Sequence, residues 1–190
     1  MVELIVVLVL LLFLAMMAVP SVQVWIRNTQ IRNTATSIQA GLQRARAEAM
    51  RRNEVVRFSL VTLGNPGLMD NSCAVAENGL SWVVSLDDPA GKCGEAVSDA
   101  TAPRMIDSHA TGGTSKAAKV LGTAANGEDA AQVLFDGFGR VTGAGSISVV
   151  DIDNETPGDD YRALRIMVGL GGTVRMCEPK VSTVSDPRAC

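Results

Sequence analysis

An uncharged, apolar run near the N-terminus constrains this chain more than any other feature of its sequence. The run extends from Leu4 to Val19; the acidic Glu3 precedes it and Pro20 follows it. A helix rises 1.5 Å per residue and needs about 20 residues to cross the hydrocarbon of a bilayer, so this run can span one when flanking residues contribute. We therefore expect residues 1–20 to form a transmembrane or assembly helix.

Glu3 argues against a cleaved secretory signal and for a partner outside the chain. A signal peptide would carry Lys or Arg where this sequence has Glu3. A carboxylate beside an apolar core costs several kcal/mol unless a cation pairs with it. The first basic residue is Arg27, beyond helical reach of Glu3. We therefore expect the cation to come from another molecule.

The string VELIVVLVLLLFLAMMAVPSVQVWIRN, residues 2–28, resembles the N-terminal segment of type IV pilins and type II secretion pseudopilins. That superfamily has a glutamate, an apolar run and a helix-bending proline where this chain has Glu3, 4–19 and Pro20. In the superfamily the glutamate pairs with the N-terminal amine of a neighbouring subunit during filament assembly. The resemblance implies other minor and major pilins, the inner membrane and the pilus assembly platform as partners. Pilins also carry a leader peptide and a few mature residues ahead of this segment, so we expect either a misassigned start codon or a truncated N-terminus here.

Residues 21–53 continue as an amphipathic helix. One stripe of apolar residues recurs at steps of three and four, as on one face of a helix: Ile31, Ala35, Ile38, Leu42, Ala45 and Ala49. We expect this stripe to lie against a sheet. The opposite face, predicted to be solvated, holds Arg27, Arg32, Gln39, Arg46 and Glu48; a polyanion-binding ridge is the alternative. Arg51 and Arg52 suit the negative end of the helix dipole, and Asn53 is a stop signal.

Residues 54–190 read as a β-rich head. Short β-prone runs occupy residues 55–61, 80–86, 105–106, 133–135, 146–152, 161–168 and 173–176, with turn residues between them. The last three runs have short connections and predict an antiparallel meander. The predicted fold class is α+β: a long N-terminal membrane-spanning and amphipathic helix packed on a small antiparallel sheet.

Three further strings narrow the resemblance. LQRARAEAMRRNEVVRFSL, FDGFGRVTG and VRMCEPKVSTVSDPRAC are similar to the minor pilins FimT and FimU and to their secretion-system relative GspH. The resemblance implies a minor pilin that helps to prime or cap a type IV pilus, held in the inner membrane by one span with its head in the periplasm. A GspH-like pseudopilin of a type II secretion system is the alternative.

Four cysteines lie beyond the apolar run. An even number in a head on the oxidising side of the membrane favours disulfides, and three pairings are possible. We favour Cys73–Cys93 and Cys177–Cys190, because each closes a loop of a length at which a bridge contributes ~3 kcal/mol. Zinc is the rival explanation, but the sequence has no C-x-x-C pair and a single histidine, His109.

DNA capture is a third functional hypothesis. Some FimT-like proteins bind DNA through two C-terminal arginines that flank one residue; here Thr173 replaces the first and Arg175 remains. Lys180 and Arg188 complete the candidate patch for weak DNA binding, with Arg140 and Arg165 as possible contributors. The net charge of −3 provides no overall attraction for a polyanion.

No motif in the sequence indicates catalysis or a cofactor. The glycine-containing segment 112–116 lacks the spacing of a phosphate-binding loop and predicts an ordinary loop. An acidic cluster offers oxygen ligands for calcium, but its spacing does not fit an EF-hand; it consists of Asp151, Asp153, Asn154, Glu155, Asp159 and Asp160. We expect a protein that is not an enzyme and that binds neither metal nor cofactor.

Overall fold

The computed structural model describes residues 2–112, 117–156, 158–183 and 185–190. Most of segment 112–116 therefore lies outside the described residues. One helix precedes ten strands: α1 Val2–Arg52, β1 Val56–Thr62, β2 Ala74–Val75, β3 Ser81–Ser85, β4 Met105–His109, β5 Ala118–Ala124, β6 Gln132–Phe135, β7 Val141–Thr142, β8 Ile147–Asn154, β9 Leu164–Val168 and β10 Val174–Cys177. The predicted α+β class is confirmed.

The long helix α1 ends where the sequence predicts. Asn53 follows its last residue with φ of 53°, in the left-handed region that commonly terminates a helix and that asparagine tolerates. All six residues of the predicted apolar stripe are at most 1% exposed. The helical period of that stripe therefore identified the buried face of α1 correctly.

The strands form two antiparallel sheets, whereas the sequence predicts one. Sheet 1 has the order β4-β3-β1-β6-β7, with β2 paired to the end of β1, and sheet 2 has the order β10-β9-β8-β5. The predicted meander β8-β9-β10 is present, but it pairs with β5 rather than with sheet 1. Strand β5 was not predicted, because its sequence AKVLGTA has small buried residues and little apolar contrast.

Both sheets contribute to one hydrophobic core, and α1 packs against strands of each. Sheet 1 contributes large side chains such as Phe58, Trp82 and Phe135, and sheet 2 contributes Val150 and Ile166. A smaller cluster lies on the far side of sheet 1, where Cys73, Cys93, Val61, Val83 and Met105 are buried together. The second half of α1 is thus fixed in the head on two sides.

Gly41 allows α1 to approach sheet 1 closely. A Cβ at this position would lie 2.8 Å from the rings of both Phe58 and Trp82. A glycine inside an exposed helix costs stability relative to alanine, but here the space is occupied. We therefore expect Gly41→Ala to lower the free energy of unfolding by about 1–3 kcal/mol instead of raising it. Urea denaturation followed by circular dichroism tests this, and a stabilised variant would contradict the packing argument.

Exposed Ala40 supplies the control for that measurement. Ala40→Gly reports the helix propensity alone, because residue 40 faces solvent, and it should cost about 1 kcal/mol. Both substitutions should then lower the free energy of unfolding. Because one adds a methyl group and the other removes one, helix propensity alone cannot explain both results, and the loss at Gly41 can be assigned to packing.

Two assignments to the solvated face of α1 were wrong. Glu48 is 6% exposed. It accepts hydrogen bonds from Arg51 Nη2 at 2.6 Å and Arg52 Nε at 3.1 Å, and Arg52 also pairs with Asp99 in the loop before β4. Arg46 is half-buried and bonded to two loops of the head. Arg51 and Arg52 therefore compensate a buried carboxylate as well as the end of the helix dipole.

The Glu48 network makes stability depend on pH. The hydrogen bond from Arg51 lowers the pKa of Glu48 below its ordinary value of 4.5; that from Arg52 acts in the same direction, and burial opposes both. A group whose pKa is lower in the folded state stabilises the fold above its unfolded pKa and loses this contribution as pH falls through the folded value. We expect Glu48→Gln to cost about 1–3 kcal/mol at pH 7, and the difference from wild type should shrink as pH falls below the ordinary pKa of 4.5 and vanish only below the lowered pKa of the folded state.

Chemical denaturation of both proteins at several pH values measures this effect. Glu128→Gln is the matched control, since Glu128 is exposed, and it should change stability by less than about 0.5 kcal/mol. A Glu48→Gln deficit of equal size at every pH would show that shape rather than charge is responsible.

Candidate functional site

The N-terminal half of α1 carries an apolar surface that the head does not cover. Every large apolar side chain from Val2 to Leu14 is between 51% and 76% exposed. These side chains surround the helix instead of forming one stripe, which is the pattern of a helix surrounded by lipid or by other helices. The isolated subunit therefore presents a helix whose surroundings must come from elsewhere.

Glu3 lies in the first turn of this helix, at the positive end of the helix dipole. Within the described residues, Glu3 has no hydrogen bond and no ion pair. Arg27 lies about 36 Å further along the helix axis at 1.5 Å per residue. No cation in the described residues lies within reach of Glu3. Pairing of Glu3 with a cation from another molecule stays a prediction.

Pro20 lies within α1, which continues through it to Arg52. Proline has no N–H to donate to the carbonyl of residue 16, so the helix lacks one backbone hydrogen bond at this position. The bend expected at Pro20 stays a prediction. Among the described residues, no helix has both the length and the apolar character required to cross a membrane.

Contact between α1 and the head begins near Asn28. Its amide donates to the carbonyl oxygen of Asp160 at 3.2 Å, and its side-chain oxygen accepts from the backbone N–H of Arg162 at 2.8 Å. From Ile31 onward the apolar stripe is buried. Asn28 therefore marks the point at which α1 leaves the head.

At the other end of the head, Arg46 joins two loops to α1. Its Nε donates to the carbonyl of Gly139 at 3.1 Å and its Nη2 to that of Gly171 at 3.4 Å. The turn at Gly139 follows β6, and the loop at Gly171 connects β9 to β10. Arg46 thus connects the helix to both sheets, a role that helical periodicity alone could not indicate.

The C-terminal segment is tied to β10. Disulfides join Cys73 to Cys93 and Cys177 to Cys190, with Cα–Cα distances of 6.1 Å and 5.1 Å. Arg175 Nη2 donates to the carbonyl oxygens of Ala189 at 3.1 Å and Cys190 at 3.4 Å. Arg175 therefore closes the same loop that the second disulfide closes.

The other candidate DNA-binding side chains are also engaged within the head. Lys180 Nζ donates to the carbonyls of Gly158 and Tyr161 at 2.7 and 3.1 Å. Arg188 binds both carboxylate oxygens of Asp186, and this bond lowers the pKa of Asp186 to about 2. The possible contributors are paired in the same way, Arg140 with Asp136 and Arg165 with Asp151. A phosphate would have to compete with these partners.

DNA binding by this patch stays a prediction with a direct test. If Arg175 contacts a phosphate, binding of duplex DNA weakens with salt, and Arg175→Ala reduces the slope of log K against log salt by about one. Fluorescence anisotropy over a salt series measures the slope, with Lys119→Gln, an exposed lysine on β5, as the control. Binding that does not respond to salt would contradict a phosphate contact.

The described part of the acidic cluster is not arranged as a metal site. Asp151 binds Arg165, and Asn154 is buried and donates to the carbonyl of residue 156. Across the described residues, no three His, Cys, Asp or Glu side chains are grouped so that they could hold a metal ion. His109 stacks on Trp82 with ring centroids 5.8 Å apart. Its observed contact is thus aromatic packing.

A family model for the type II transport protein GspH matches residues 34–172. The match begins in the buried half of α1 and ends in the loop before β10, so it covers most of the chain. The chain belongs to the GspH family. This membership confirms the resemblance to FimT, FimU and GspH, and it identifies the chain as a pilin-type structural subunit, either a minor pilin or a pseudopilin.

Two solved structures also resemble this member of the GspH family. Both are crystal forms of the type IV minor pilin FimU from Pseudomonas aeruginosa. One is 12% identical, covers 78% of this chain and 97% of its own, and has a TM-score of 0.43; the other is 11% identical, covers 80% and 94%, and has a TM-score of 0.46. No curated protein matches the chain. The family assignment therefore rests on the GspH match.

Proposed function

We propose that this GspH-family protein is a minor pilin of a type IV pilus, a structural subunit that helps to prime or cap pilus assembly. The observation that carries the proposal is the apolar surface of residues 2–14, exposed all round a helix whose other half is fixed in the head. Lipid covers this surface before assembly, and the helices of neighbouring subunits cover it in the filament. No enzymatic activity or cofactor is part of the proposal.

The proposed location is the inner membrane, with one span and the head in the periplasm. Residues 1–20 form the membrane and assembly segment, residues 21–53 the amphipathic continuation, and residues 54–190 the periplasmic head. The two disulfides of the head support this orientation, because disulfides persist on the oxidising side of a bacterial membrane. The partners are other minor and major pilins, the membrane and the assembly platform.

A pseudopilin of a type II secretion system is the second candidate. The specific observation in its favour is the family itself, whose model describes a type II transport protein. The apolar helix and the head suit both filaments equally well, since each is a bundle of N-terminal helices. The choice between them therefore requires a cellular measurement.

Deletion of the gene, with surface pili, twitching and protein secretion scored together, tests these alternatives. Loss of pili and motility with intact secretion supports the pilus. Loss of secretion alone moves the protein to the pseudopilus, and normal pili and secretion with failed DNA uptake supports the DNA hypothesis. Complementation with wild type and with Arg175→Ala separates assembly from DNA binding.

A further inference from the structure

A groove of about 680 Å³ lies where α1 leaves the head. One face of α1 forms its first wall, with Trp25, Asn28, Thr29 and Arg32 at helical spacing. The loop between β8 and β9, the strands β9 and β10 and the C-terminal loop form the remainder: Arg162, Leu164, Met176, Cys177, Glu178, Pro187 and Arg188.

The charges of this groove are unequal. Three arginines line it against one glutamate, and Glu178 is already close to Arg188, at 3.9 Å. Arg32 and Arg162 have no hydrogen-bond or ion-pair partner for their guanidinium groups in the part of the chain that the structure describes. Two unpaired guanidinium groups beside one ligand space favour an anion, and guanidinium matches the geometry of phosphate oxygens.

The position of the groove along α1 indicates which anion lies near it. With Leu4 at one edge of a ~30 Å hydrocarbon layer, a helix reaches the other edge near Gln23. Trp25, which is 68% exposed, then lies at the membrane interface, where tryptophan is enriched. Helical side chains point towards the N-terminus of their helix, so Arg32 points back towards the lipid headgroups.

We propose that this groove binds the phosphate of an anionic phospholipid, through Arg32 and Arg162 with Trp25 at the interface. The inference rests on the proposed membrane anchoring of residues 1–20. Leu164, Met176 and Pro187 supply apolar contact in the same groove as the two arginines. Asp159 and Asp160, in the loop before Arg162, are not among the lining residues. Lipid bound here holds the base of the head against the bilayer before the subunit is extracted into a filament.

The full chain, reconstituted in vesicles of phosphatidylcholine with or without phosphatidylglycerol, tests the proposal. Brominated phosphatidylglycerol should quench the fluorescence of Trp25 more than brominated phosphatidylcholine does, while buried Trp82 gives a constant background. Arg32→Gln with Arg162→Gln should lower the relative association constant for the anionic lipid about five-fold for each cation, or roughly 25-fold together. Lys92→Gln with Lys119→Gln removes the same charge from exposed positions outside the groove and should leave the preference intact.

The other outcomes each have a defined meaning. Equal quenching by both lipids, or a preference that survives the double arginine variant, overturns the proposal. A groove that binds inorganic phosphate but gives equal quenching by the two lipids is a simple anion site, which also overturns the proposal. The same holds if the variant loses duplex DNA binding with unchanged lipid preference, or if quenching falls with protein density because a second copy fills the groove.

Membrane insertion is measured separately in the same vesicles by flotation and resistance to urea extraction. A chain that does not insert contradicts the proposed anchoring. A chain that inserts but shows no preference for anionic lipid contradicts only the groove assignment.

Discussion

Glu3→Ala should leave the subunit in the membrane but reduce its incorporation into filaments at least about ten-fold. In an apolar bundle, removal of one member of an ion pair leaves the other charge without a partner, which costs several kcal/mol. Glu3 has no partner among the described residues of its own chain, so the cost falls on a contact between subunits. Immunoblots of sheared filaments, normalised to the membrane fraction, measure incorporation.

Two variants make this test specific. Glu3→Asp keeps the charge on a shorter side chain and should retain part of the incorporation, whereas Glu3→Gln keeps the shape and should behave like Glu3→Ala. Glu54→Ala removes an exposed acid just after the end of α1 and is the control for net charge. Normal incorporation of Glu3→Ala would show that no essential ion pair forms at this position.

Gly172→Ala should destabilise the head by about 2–4 kcal/mol, while Gly171→Ala changes its stability by less than about 0.5 kcal/mol. Gly172 has φ of +76°, and a Cβ there would lie 1.8 Å from the carbonyl oxygen of Gly139. The variant must separate two loops that Arg46 joins to α1. At Gly171 an added Cβ meets nothing within 4 Å.

Urea denaturation of both variants in detergent micelles, followed by circular dichroism, gives the two free energies of unfolding. Both variants replace a glycine with alanine in the same loop. They differ only in the backbone conformation at the two positions and in the distance from the added Cβ to neighbouring atoms. Equal stability of the two variants would contradict the contact between the turn after β6 and the loop before β10.

Much of the fold could be predicted because the signals are local. A helical period placed Ile31 to Ala49 on one face, and Asn53 ended the helix where a left-handed residue was needed. Alternation and turn residues identified most strands, including the final meander. Strand β5 escaped because alanine, glycine and threonine bury little apolar surface and give weak alternation.

The polar residues of α1 show where sequence periodicity reaches its limit. Arg46 and Glu48 were placed on a solvated face, yet one joins two loops and the other is buried. The burial of a charged side chain depends on which distant segments approach it, and those segments also supply its partners. Periodicity along one helix contains no information about either.

The sequence by itself determined the apolar run with its isolated Glu3, the buried stripe of α1 and the family to which the chain is similar, because these depend on residue order within a few turns. The tertiary structure alone decided that the strands divide into two sheets and that Arg175, Lys180 and Arg188 are engaged at the C-terminal loop. It also placed Arg32 of the helix and Arg162 of the head on the walls of one groove. Contacts between residues far apart in the sequence depend on long-range packing, and they stabilise the fold only after the distant segments have come together.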